Sequence, residues 1–155
     1  MYAILLPLHS LVRWLVLITL VLAIIRAYRG WFSRKSFSKF DDVLCKGVVN
    51  VLNIQMSIGI FLYCISPIVG YFLDNFKEAV HQRQIRFFGM EHITMMVIAV
   101  IVITIGAKKV QTKSSDEEKY KTMAIWFAIG LFIILTSIPW AFSPLTSRPN
   151  FRPPF

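Results

Sequence analysis

Apolar residues gather into four long runs, and the short segments between them hold nearly every charge. The runs extend from about Ala3 to Tyr28, Val43 to Phe72, Phe87 to Ala107 and Tyr120 to Phe142. A helix needs about 20 mostly apolar residues to cross a bilayer, so each run predicts one membrane span. Pro67 predicts a bend in the second. Short links between consecutive spans favour an all-α, up-down-up-down four-helix bundle. In such a bundle spans one and three are diagonal neighbours, as are spans two and four.

Composition agrees. The chain has 155 residues, is 56% hydrophobic and only 16% charged, against about 45–50% and 25% in soluble domains. Four spans and their links use the length, so a single membrane domain covers residues 1–142. A Pro-rich segment, 143–155, follows and is expected to lie extended over the outer face or dock a partner. The first run lacks a basic leader and a small-residue cleavage site, so it reads as an uncleaved helix.

The net charge is +9, and its placement matters more than its size. Six Lys/Arg lie in Arg26–Lys46 and five in Lys108–Lys121, whereas the segment between spans two and three has three and the tail two. By the positive-inside rule the first two segments face the cytoplasm, and both termini lie on the outer, periplasmic side. The basic excess then labels topology and meets anionic lipid; no nucleic-acid role is needed. Asp116–Glu118 reads as an acidic helix start. Cys45 and Cys64 are 19 residues apart, about 28 Å along a helix, so they form no redox pair.

Polar residues inside the apolar runs carry the candidate chemistry. Span one has His9, Ser10 and Arg13; span three has Glu91 and His92. His9 and His92 lie roughly 9 Å and 8 Å below the outer ends of their spans at 1.5 Å per residue. They therefore share a depth on diagonal helices, with Trp140 near the same level. On one face of span one stand His9, Arg13, Val16 and Leu20; on span three, His92, Met96, Ala99 and Ile103. On span two, Asn50, Asn53 and Ser57 are expected to face inward with Cys64 further out. On span four the inward line is Trp126, Gly130, Ile133, Ser137 and Trp140.

Two imidazoles reaching inward from diagonal helices suit one metal ion between them. Haem iron with His9 and His92 as axial ligands is the expected occupant. Interhelical hydrogen bonding is the plainer role for a membrane histidine. Arg13 is expected either to pair with Glu91 or to meet a cofactor carboxylate or quinone oxygen. His81 reads as a solvated loop residue. Pro139 leaves the Leu135 carbonyl without its helical donor. A copper site using the histidines with Met90, Met95 or Met96 is a further alternative.

The motifs His9-Ser10-x-x-Arg13-Trp14, Gly89-x-Glu91-His92-x-x-x-Met96 and Ile138-Pro139-Trp140 resemble the small four-helix bacterial membrane proteins named cytochrome b-like. The resemblance runs from Pro7 to about Trp140. It implies haem b ligated by His9 and His92, with Arg13, Glu91, Met96 and Trp140 shaping the site. It also implies electron exchange with quinones or redox partners in a bacterial cytoplasmic membrane. Only two histidines lie within the spans, so a two-haem wire is not expected. The competing expectation is a haem-free accessory or assembly subunit of a membrane complex. A homo-oligomer fits either.

Overall fold

The computed structural model describes residues 1–140. Among these residues every regular element is helical. In chain order they are α1 (Tyr2–Phe32), α2 (Lys39–Ile65), α3 (Pro67–Asp74), α4 (Phe76–Ala79), α5 (Arg83–Arg86), a π-turn (Phe87–Glu91), α6 (His92–Gln111) and α7 (Asp116–Ser137). Four stretches are long and apolar enough to cross a membrane: α1, α2, the run Arg83–Gln111, and α7. These make the chain a multi-pass membrane protein. The expected tail at 143–155 lies outside the described residues.

Outward positions on the spans are mostly apolar, as helices facing lipid require. Leu11, Leu15, Ile18, Leu22, Ile98, Ile101, Ile129 and Phe132 point outward. Leu20, Ala23, Ala27, Cys45, Val48, Ala99, Ile103, Met123, Ala124 and Phe127 fill the interior. α1 packs chiefly on α2 and α7, and α6 packs on the same two. Small residues set the spacing. A Cβ on Gly30 would overlap Tyr120, on Gly106 Trp126, and on Gly130 Ile103. Side chains so close leave room only for glycine, which brings the helices together.

Local chemistry ends the helices. Ser38 caps α2 in a capping box with Asp41, and Ser115 caps α7 by accepting from the Glu118 amide at 3.2 Å. The acidic start at Asp116–Glu118 is therefore in place, four residues before the span expected at Tyr120. Two boundaries differ from expectation. The second apolar run is not one bent helix to Phe72. It stops at Ile65, Ser66 is extended, and Pro67 opens α3. A proline disfavours helical backbone at the residue before it and suits the first helical position. The same rule ends α7 at Ser137, because Ile138 precedes Pro139 and is extended. The end of the fourth run expected at Phe142 lies outside the described residues.

One end of the assembly is tied by Asp41, which is 1% exposed. Its Oδ1 accepts from Arg26 Nε of α1 at 2.8 Å. Its Oδ2 accepts from the Ser38 amide at 3.0 Å, Ser38 Oγ at 2.6 Å and Tyr120 OH of α7 at 2.8 Å. A single carboxylate thus joins three of the four spans. The opposite end carries the helix breaks and the cavity described next.

The face of α2 is a correction. Its buried line is Cys45, Val48, Leu52 and Leu62, with Gln55 and Gly59 beside it. Asn50, Asn53, Ser57 and Cys64 lie on the opposite side and are exposed. Polarity misled here because both faces carry amides, and the inner one belongs to Gln55.

Candidate functional site

An interior cavity of about 190 Å³ lies between the spans toward the broken end. His9, Arg13, Gln55, Gly59, His92 and Met96 are among its walls, in otherwise mostly apolar surroundings. α1 supplies His9 and Arg13 one turn apart. α6 supplies His92 and Met96 one turn apart. α2 supplies Gln55 and Gly59, again one turn apart, so each helix contributes one face.

The two histidines meet in this interior. Their ring centres are 6.5 Å apart and their planes cross at 77°. His92 Nδ1 lies 2.8 Å from the Ser137 carbonyl oxygen of α7. A carbonyl only accepts, so this nitrogen carries the ring proton and Nε2 is the free lone pair. Phe87 and Phe88 pack against the same ring, at 5.7 Å and 6.5 Å between centres.

His9 is held from α2. Gln55 Nε2 donates to the His9 carbonyl at 3.0 Å and lies 3.2 Å from His9 Nε2. The carbonyl orients the amide, so His9 Nε2 accepts and Nδ1 carries the proton. That Nδ1 and Gln55 Oε1 are both buried without a partner. The ring edge rests on Gly59, where an added Cβ would stand 3.3 Å from His9 Cε1. Buried unpaired donors and acceptors are rare in folded chains. Here one is a donor and the other an acceptor, on side chains already touching.

Arg13 donates from Nη2 to Ser10 Oγ at 3.4 Å, and its guanidinium carbon stands 5.5 Å from the Trp14 ring centre. Glu91 pairs with Arg86 at 2.6 Å across the π-turn, not with Arg13. Arg86 also donates to the Val80 carbonyl at 3.1 Å, which ties the pair to the connecting segment. Glu91 and Trp140 are not cavity walls. Trp140 instead donates its indole N–H to the Leu135 carbonyl at 2.9 Å, taking the acceptor that Pro139 leaves open. Its ring meets Trp14 edge-on at 6.1 Å.

Of the residues expected from sequence, the structure gathers His9, Arg13, Met96 and His92 at the cavity. It adds Gln55, Gly59 and Tyr63, whose hydroxyl donates to the Gly89 carbonyl at 2.8 Å. Their signal was the spacing 55, 59, 63 on the face opposite Asn50 and Asn53. Of the methionines weighed for copper, Met96 lines the cavity and Met90 is exposed. Among the described residues no three His, Cys, Asp or Glu side chains cluster as metal ligands. No family model, curated protein or solved structure matches this chain.

Proposed function

We propose that this chain holds one b-type haem between His9 and His92 near the outer face of a bacterial cytoplasmic membrane. The four spans are read as an up-down-up-down bundle with both termini outside, on the ratio of eleven Lys/Arg to five. The protein exchanges electrons with a quinol or a redox partner, as one subunit of a larger membrane complex.

The observation that carries this reading is the spacing of the two rings. A metal ion bound at about 2.0–2.1 Å to one nitrogen of each ring sets the two ring centres about 6 Å apart. The rings stand at 6.5 Å. Two protein ligands alone leave a bare ion under-coordinated, whereas a porphyrin supplies the other four nitrogens. His92 already matches a ligating histidine, with Nδ1–H fixed by a carbonyl and Nε2 left bare.

His92 offers Nε2 to a haem iron as it stands, whereas His9 ligates only once Gln55 leaves its Nε2, and the volume also asks for expansion. Pockets for drug-sized ligands measure about 300–1,000 Å³, above the 190 Å³ of this cavity. A macrocycle therefore enters only as the walls part, and Met56 and Met96 are wall residues with flexible chains. Bound haem supplies one-electron exchange. The chain orients His92 through Ser137, gives the His9 ring edge room at Gly59, and offers the Arg13 cation to a carboxylate.

A second reading has its own observation. Each histidine already links two helices, His9 to α2 and His92 to α7. That is what interhelical glue does in a haem-free accessory subunit. One experiment separates them. The protein is purified in mild detergent and its reduced-minus-oxidised spectrum is recorded. A b-type spectrum that disappears in His9→Ala and in His92→Ala supports the haem. A colourless, metal-free protein that copurifies with a large complex supports the accessory subunit and sinks the haem.

A further inference from the structure

The outward face of α2 carries a second pattern. Lys46, Asn50, Asn53, Ser57, Ile60 and Cys64 are all exposed, and they succeed one another by four, three, four, three and four residues. That alternation is the a/d seam of a left-handed coiled pair. The midpoint of α2 falls at residue 52, between the two asparagines. These amides therefore lie within a helix long and apolar enough to cross a membrane. Neither is hydrogen-bonded within the described residues, and Ser57 Oγ turns back to the Asn53 carbonyl at 2.9 Å. An amide left in hydrocarbon costs several kcal/mol, so this face needs a polar partner.

We infer that α2 is the contact helix of a homodimer, with the seam through Asn50 and Asn53 meeting its own copy. Three features favour a second copy over another occupant. An asparagine amide is donor and acceptor at once, so identical amides satisfy each other across a two-fold axis. All copies insert in one direction, so two α2 helices meet in parallel and each seam position faces itself. The charge at the seam's end does not repel its copy, because Lys46 is neutralised by Asp42 at 2.6 Å. The inference rests on membrane insertion alone and is independent of haem.

Cys64 makes the test direct. It is exposed on the seam, whereas Cys45 is buried. Membranes containing the full chain are treated with copper phenanthroline, which accepts the two electrons as two thiols become a disulfide. Facing cysteines bridge when their Cα atoms lie about 4.4–6.8 Å apart. Wild type and C45S should give a disulfide-linked dimer on a non-reducing gel, and C64S should not. The double variant N50L/N53L should slow dimer formation about tenfold, as expected for membrane amide pairs. These positions face outward, so the fold survives the change. The inference is overturned by an absent dimer, by equal cross-linking in N50L/N53L, or by an adduct of another mass, which would put a foreign subunit on α2. It also falls if I98C in a C64S background, on the lipid face of α6, cross-links as fast.

Discussion

Gln55 Nε2 reaches two atoms of one residue, the carbonyl oxygen of His9 at 3.0 Å and its Nε2 at 3.2 Å. The contact fixes the His9 tautomer and joins α1 to α2 in the interior. Replacing Gln55 with leucine removes both hydrogen bonds at little change in size. The expected loss is about 1–3 kcal/mol, read as a lower unfolding midpoint in detergent. An unchanged midpoint would mean that the two helices do not depend on this amide.

The Asp41 carboxylate should matter more than any other polar group among the described residues. Asp41→Ala strands Arg26, leaves Tyr120 OH only the Ser36 carbonyl, and removes the α2 capping box. A loss of about 3 kcal/mol is expected, since hydrogen bonds to charged groups are worth about 1.5–3 each and do not add fully. Tyr120→Phe should cost about 1 kcal/mol. Denaturant titration of both variants checks the order, and a milder effect in Asp41→Ala would refute it.

Two glycines should respond in opposite senses. A Cβ on Gly130 overlaps the Ile103 side chain, while one on Gly47 meets nothing within 4 Å. Gly130→Ala should destabilise by about 1–2 kcal/mol, the overpacking cost less the gain in helix propensity. Gly47→Ala should be neutral or stabilising by up to about 1 kcal/mol. Paired thermal unfolding curves decide it.

The charge asymmetry makes a topological prediction. A phosphatase fused after Phe155, active only outside the cytoplasm, should work, and one inserted after Ser114 should not. The reverse result would invert the bundle and place the cavity on the cytoplasmic side.

The spans were legible because hydrocarbon demands long apolar runs and water demands charge between them. The meeting of the histidines was legible too, since counting residues from the span ends puts both at a similar depth. The inner face of α2 was not. In a soluble helix polarity marks the outside, but a membrane helix is apolar all round, so Asn50 and Gln55 looked alike until packing separated them. The partner of Glu91 was hidden for a different reason. The π-turn at Phe87–Glu91 departs from the 3.6-residue period, and Arg86 reaches Glu91 five residues on. Pro67 was legible as a disturbance, yet its strength depends on what packs beyond it.

The interruptions at Ser66, at the π-turn and at Ile138 all fall at one end of the molecule, while Asp41 binds three spans at the other. Backbone breaks and polar ties are therefore gathered at opposite ends. The tied end is built like the pivot of a pair of tongs, and the broken end, with its short segments, like the jaws. A guest larger than the resting cavity would be admitted by spreading those jaws, with the grip at the pivot unchanged.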